Sequence, residues 1–325
     1  MRLERIAAAA RAIDPAFTGT PQFESGALSE RLGMRMLCKV ETLNPIRSFK
    51  GRGTDFLLHR LAQEDGDDPR ELVCASAGNF GQGLAYAARR RGRPVRVFAA
   101  EGANPFKVDR MRRLGAHVHL EGRDFDAAKD AARAYVAGHP RAVFVEDGRE
   151  PAVTEGAGSI AVELDRWPEP LDAVLVPLGN GSLLAGMGTW LRAHRPATRI
   201  VGVCAARAPA MALSLDAGRP VATETADSIA DGIAVRVPVP EALDDLRGVV
   251  DDVLLVEEAA IVDAIRLVFD TLGLAVEPAG AVGIAAADVH RARFAGMRVA
   301  TPLCGGNLTA QQARRWLAPS TRAAV

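Results

Sequence analysis

Lys50 lies in the run Asn44-Pro45-Ile46-Arg47-Ser48-Phe49-Lys50-Gly51-Arg52-Gly53, between a phenylalanine and a glycine. Of the 40 basic residues only Lys39, Lys50, Lys107 and Lys129 are lysines, so arginine carries the positive surface and each lysine asks for a reason. Arginine stays protonated, whereas a partly buried lysine can shed its proton and attack a carbonyl carbon. A solvated lysine at a helix start is the competing reading, and Lys50 alone does not decide between them. Three glycine-rich segments change the weighing. Ser76-Ala77-Gly78-Asn79-Phe80-Gly81-Gln82-Gly83, Gly179-Asn180-Gly181-Ser182-Leu183 and Cys304-Gly305-Gly306-Asn307 each follow an apolar run and precede a helical pattern. Glycine lets the backbone approach a ligand closely, and a helix start offers unpaired N–H groups to an anion. The second segment adds the Ser182 hydroxyl as a donor. Any one of these loops could be a tight turn without a ligand; three of them with one lysine form a far more specific set. Neither a P-loop nor a complete dinucleotide fingerprint is present.

The elements that must position these residues alternate along the chain. Strand-like runs are 36–41, 72–76, 95–99, 117–120, 142–145, 173–178, 200–205, 253–256 and 299–303. Helical patterns are 53–63, 81–91, 107–114, 125–137, 183–194 and 258–272. Near-continuous apolar strands followed by amphipathic helices predict an α/β fold with mostly parallel sheets covered on both faces. The loops singled out all leave the carboxyl ends of strands, where such sheets bind ligands. The stretch 209–240 is the least regular, with Ala230-Asp231-Gly232 reading as a turn.

Composition narrows the function classes. The 325 residues carry 40 acidic and 40 basic side chains with no basic stripe, which argues against nucleic acid as a partner. No apolar run reaches membrane-spanning length, and the alanine-rich N-terminus bracketed by arginines reads as a short helix and not as a signal peptide. Cys38, Cys74, Cys204 and Cys304 stand singly in apolar segments, as reduced buried thiols of a cytoplasmic protein would.

From about residue 17 to 316 the chain resembles the serine/threonine dehydratase family of fold-type II pyridoxal phosphate (PLP) enzymes. Ser48-Phe49-Lys50-Gly51-Arg52-Gly53 resembles the family's cofactor-lysine motif, and Ser76-Ala77-Gly78-Asn79 its Ser-Ser/Ala-Gly-Asn loop. Gly179 to Leu183 stands where the family has a tetraglycine phosphate loop. Glu277-Pro278-Ala279-Gly280-Ala281 and Cys304-Gly305-Gly306-Asn307 resemble two further family segments. The departures are Asn180 and Ser182 for glycines, Phe80 for the usual histidine, and Ile46-Arg47 before Ser48.

The resemblance implies two three-layer α/β domains, residues 1–50 with 149–325 forming the large one and 51–148 the small one. PLP would lie in the cleft between them. Lys50 would carry the cofactor and act as base, Phe49 would pack near the ring, and Asn79 would bond its 3-oxygen. Gly179, Asn180, Gly181, Ser182 and Leu183 would hold the phosphate, and Cys304 would face the ring nitrogen. Ser76, Ala77 and Gly78 would form the substrate-carboxylate loop. The implied reaction is loss of water from L-serine or L-threonine to give a 2-oxo acid and ammonia, with the cofactor phosphate as a proton donor. A homodimer is implied in the same way. The chain ends soon after a helix at 308–317, so no added regulatory domain is expected.

Rival readings are another fold-type II activity (β-replacement, racemisation, or elimination from hydroxyaspartate or diaminopropionate) and a non-catalytic PLP-binding protein. The intact carboxylate loop argues against a mere carrier. Ala77 has no proton to give, which argues against a racemase. The stretch from Val203 to Ala210 stands where relatives hold a structural cation. Cys204 and Ala210 replace its oxygen-bearing side chains, so no hard cation is expected there. His117 and His119 share a strand face but lack further ligands, and read as a half-exposed strand. Arg47 is either a solvated charge or a selector of acidic substrates. Trp167 and Trp190 read as packing residues, and Glu257-Glu258 as acids favouring a helix start.

Overall fold

The computed structural model describes residues 2–65 and 70–317. The first part of the chain forms α1 (Leu3–Ala12), β1 (Gln22–Glu24), α2 (Gly26–Leu32), β2 (Arg35–Val40) and α3 (Lys50–Asp65). There follow β3 (Glu71–Ala75), α4 (Asn79–Arg89), β4 (Val95–Ala99), α5 (Pro105–Arg113), β5 (His117–Leu120), α6 (Phe125–Ala137) and β6 (Ala142–Phe144). The next elements are α7 (Pro151–Leu164), β7 (Ala173–Pro177), α8 (Ser182–His194), β8 (Arg199–Ala205), α9 (Ala210–Ala217) and α10 (Pro240–Leu246). The last are β9 (Asp252–Val256), α11 (Glu258–Leu272), α12 (Pro278–Val289), α13 (Arg291–Phe294), β10 (Arg298–Leu303) and α14 (Ala310–Leu317).

These strands make two sheets. The larger runs β1-β2-β10-β7-β8-β9 and is parallel except for the edge strand β1. The smaller runs β5-β4-β3-β6 and is parallel throughout. Side chains alternate across each sheet, so each strand feeds two cores. Met36, Cys38, Leu175 and Val203 pack on one face of the larger sheet with α11 and α12, while Leu37, Val174, Val176 and Ala300 pack on the other with α7 and α8. The smaller sheet does the same, with Leu72, Cys74, Val95 and Val97 on the side of α3 and α4, and Val73 and Phe98 against α6. Both units are thus three layers deep, as the α/β reading expected.

Several elements differ from the sequence reading. Helix α3 begins at Lys50 itself and α4 at Asn79, so both chemical residues sit on helix starts rather than in preceding loops. α7 and α12 carried no amphipathic signal because nearly every side chain in them is buried, and such helices lack a polar stripe. The stretch 209–240 contains α9 and a short 3-10 turn at Asp231–Ile233. His117 and His119 lie on the exposed edge strand β5, where the His119 ring stacks on Phe98.

Candidate active site

Strands β2, β10 and β7 are neighbours, so the segments leaving their carboxyl ends converge on Lys50, Cys304 and Gly179–Leu183. In the other sheet, β3 and its neighbour β6 deliver Ser76–Asn79 and Asp147. These five segments line one cleft of about 840 Å³, part of it open to solvent. All the residues singled out as cofactor or substrate contacts meet here: Phe49, Lys50, Ser76, Ala77, Gly78, Asn79, Gly179, Asn180, Gly181, Ser182, Leu183 and Cys304.

The anchor of this arrangement is the start of α3. The Phe49 N–H donates to the Cys304 carbonyl at 3.0 Å, and Ser48 bridges Gly305, tying the lysine segment to the loop after β10. Arg52, two residues on, is fully buried and bonds both Glu41 and Glu163. The Lys50 amine then projects into the cleft 2.5 Å from Asp147 Oδ2, with the Phe49 ring 4.7 Å and the Phe80 ring 5.9 Å away.

The Gly179–Leu183 turn has the features of an anion cradle. Gly181 adopts φ +93°, a conformation that favours glycine, and caps α8 without any side-chain bond. Among the described residues no acceptor meets the main-chain N–H of Gly179, Asn180, Gly181, Ser182 or Leu183. Five unpaired donors at a helix start suit a phosphate. Opposite them, Ser76 Oγ accepts from the Gly78 and Gly81 N–H groups at 3.0 and 2.9 Å, which shapes the second loop. Among the described residues the N–H groups of Ala77, Asn79 and Phe80 have no acceptor. The Asn79 amide donates to Glu277 Oε1 at 2.5 Å and accepts from Asn307 at 2.9 Å, so its orientation is fixed from the other sheet's loops.

Electrostatics separate the groups in the cleft. Burial, reinforced by the Glu277 carboxylate, pushes the Cys304 thiol well above its ordinary range, so it is a neutral donor, here aimed at the Ala279 carbonyl 3.6 Å away. Burial also raises Glu277, aided by Asp231 and opposed by Lys107. Burial disfavours the Lys107 ammonium, but Glu277 and Asp231 outweigh that and hold its pKa above the usual lysine value. Lys107 bonds both oxygens of Asp231 at 2.9 and 2.8 Å across the cleft.

Asp147, Glu277, Asp231 and Lys107 were not singled out as site residues from the sequence. Lysine scarcity could have flagged Lys107, since all four lysines are buried to a large degree and none is a free surface charge. Arg47 is exposed, lies outside the cleft lining and holds φ +52°, while its carbonyl accepts from Gly306 at 2.9 Å. Of its two readings, the solvated charge fits. Glu258 accepts from Ser228 and Ile229, fixing the segment that leads to Asp231. The Cys204 thiol donates to the Leu178 carbonyl at 3.4 Å.

A lysine amine, five unpaired main-chain donors at a helix start and a neutral thiol meet in one α/β cleft, and the residues present fit a PLP cofactor. The family of pyridoxal-phosphate dependent enzymes matches residues 13–305. An L-threonine ammonia-lyase of Thermotoga maritima is 35% identical over 306 residues, covering 94% of this chain and 75% of the relative. One from Geobacter sulfurreducens is 37% identical over 294 residues, covering 89% and 71%. Among solved structures, a threonine deaminase from T.th. matches with a TM-score of 0.87 at 34% identity, over 95% of this chain and 99% of that one. Maize serine racemase matches with a TM-score of 0.88 at 27% identity, over 96% and 95%. The chain belongs to the pyridoxal-phosphate dependent enzymes, and within them to the serine/threonine dehydratase family that its motifs resemble.

Proposed function

We propose that the protein removes water from a β-hydroxy amino acid, L-threonine or L-serine, and releases a 2-oxo acid and ammonia. The observation that carries this reading is the convergence of the Lys50 amine, the unpaired N–H groups of Gly179–Leu183 and the Cys304 thiol in one cleft. When bound, PLP withdraws electrons from the amino acid's Cα and so acidifies the α-proton. Lys50 would hold the cofactor through its amine and, as a free amine, would take that proton as base. Gly179, Asn180, Gly181, Ser182 and Leu183 would bind the phosphate, with the α8 dipole assisting. Phe49, Asn79 and Cys304 would hold the ring, and a neutral thiol there would leave the ring nitrogen unprotonated, which suits β-elimination. Ser76, Ala77, Gly78 and the open N–H groups beside them take the substrate carboxylate.

We assign residues 51–148 to a small domain and 1–50 with 149–325 to a large one, the cleft lying between them. A cytoplasmic homodimer is the setting we favour, and the four free, buried cysteines are consistent with a reducing compartment. A second reading, elimination from a β-amino substrate, draws on the Asp147 and Asp231 carboxylates that line the cleft. A panel of threonine, serine, both 3-hydroxyaspartates and diaminopropionate, scored for oxo-acid and ammonia release, separates the two. Borohydride is expected to fix the cofactor on the Lys50 peptide, and Lys50→Ala to abolish turnover. Labelling of Lys39, Lys107 or Lys129 instead would refute the assignment.

A further inference from the structure

Asp147 is a carboxylate that the proposed reaction does not use, although it contacts the catalytic amine. One oxygen is 2.5 Å from Lys50 Nζ and the other accepts the Ser182 hydroxyl at 2.7 Å. The side chain is 10% exposed, and that remainder opens onto the cleft. The next residue, Gly148, sits at φ +90° with its Cα so close to the Asn180 carbonyl that a Cβ would come within 2.6 Å. Asp147 is therefore held rigidly against the phosphate loop. The Phe49 and Phe80 rings wall the pair, and such apolar surroundings strengthen interactions between charges.

We propose that Asp147 relays the proton from Lys50 to the departing β-hydroxyl, in place of the cofactor phosphate; this rests on the proposed function. The Cα–H bond breaks and its proton ends on Lys50 Nζ, while its electron pair becomes the Cα–Cβ double bond. The Lys50 ammonium passes that proton to the Asp147 carboxylate across the 2.5 Å contact, and the Cβ–O bond breaks with its pair going to oxygen, which takes the proton from Asp147 and leaves as water. Asp147 is thereby returned to its carboxylate and Lys50 to its free amine. Protons balance and no oxidant or reductant is required. The Ser182 bond keeps the carboxylate turned toward the lysine.

The test compares a leaving group that needs a proton with one that does not. Asp147→Asn holoenzyme is expected to lose about 10²-fold or more of kcat with L-serine, the usual worth of a general acid. It should keep most of its rate with β-chloro-L-alanine, whose chloride departs unprotonated. Exchange of the serine α-hydrogen with D2O, followed by NMR, should persist, because the Lys50 step is intact. Cofactor affinity, measured by equilibrium dialysis, should stay near the parent value. Asp147→Glu, which keeps the acid on a longer arm, should recover part of the serine rate and so separates lost chemistry from misfolding. Equal slowing of both compounds, no slowing of either, or release of cofactor from a folded Asp147→Asn protein would each overturn the relay. A parent enzyme inactive on both compounds would overturn the proposed function and the relay together; an active parent with an unmoved ratio overturns the relay alone.

Discussion

Replacing Glu163 by glutamine should destabilise the protein through a cluster that lies behind the site. Arg52 is buried completely and donates to Glu41 at 2.8 and 2.9 Å, to Glu163 at 2.7 and 2.9 Å, and to Ser159 and Thr20. Lys39 donates to the same Glu163 at 2.5 Å and to the Thr20 carbonyl at 2.6 Å. Two cations meet two anions, so the buried charges cancel. Glu163→Gln leaves one positive charge without a partner, and breaking a buried pair in this way costs about 3–5 kcal/mol. The carboxyl itself supplies an independent figure. Burial alone would raise its pKa, but Arg52 and Lys39 override that and bring it from 4.5 to about 2. That difference corresponds to stabilisation on the order of 3 kcal/mol at neutral pH.

The two routes agree, and the second fixes the pH dependence. A carboxylate whose folded pKa lies below its unfolded one contributes fully above the unfolded value. It loses that contribution as pH falls toward the folded value. The window therefore runs from about pH 4.5 down to about pH 2, with roughly 2 kcal/mol gone by pH 3. Urea unfolding of parent and Glu163→Gln at pH 7 and pH 3 checks both parts. The variant should be weaker by about 3 kcal/mol or more at pH 7, and the gap should narrow by roughly 2 kcal/mol at pH 3. A gap below about 1 kcal/mol at pH 7, or one that ignores pH, would refute the reasoning.

Three further outcomes are expected. Cys304→Ser should keep most of the activity, since a hydroxyl is also a neutral donor, whereas Cys304→Asp should shift turnover toward transamination; identical spectra and partitioning in both would make the thiol a packing residue only. Arg47→Gly should stabilise the protein by roughly 0.5–1 kcal/mol, the strain of φ +52° less the entropy of glycine, with kcat/KM unchanged because Arg47 is exposed and does not line the cleft. Chiral chromatography of serine recovered from long incubations should find pyruvate without D-serine, because Ala77 in the cleft lining has no proton to give. Ala77→Ser should introduce measurable D-serine, and substantial D-serine from the parent would overturn the role given to Ala77.

What was legible in the sequence follows from the range over which each residue's role is determined. Gly179–Leu183 offers five unpaired N–H groups because of its own backbone and the helix it opens, and both are local, so five consecutive residues suffice to point to it. Lys50 was legible through its immediate neighbours. The strands were legible because parallel sheets buried on both faces make apolar runs, and β4 and β5 match the expected boundaries. By contrast α7 and α12 are buried on every side, which erases the periodicity that marks a helix. Asp147 was illegible for a different reason. It lies 97 residues from Lys50 and 35 from Ser182, in the sequence Val145-Glu146-Asp147-Gly148, where an acid and a glycine read as an ordinary turn. Its meaning comes from the register of β6 beside β3 and from the meeting of two sheets' carboxyl ends. The same holds for Lys107 and Asp231, separated by 124 residues and joined across the cleft. Lysine scarcity pointed to all four lysines equally, and each is indeed paired with a carboxylate. Among them only Lys50 projects into the cleft lining, because α3 begins on the residue next to Phe49, which is fastened to Cys304. The others are buried counter-charges, and that division between a lysine in the cleft and lysines beneath it is a property of the fold.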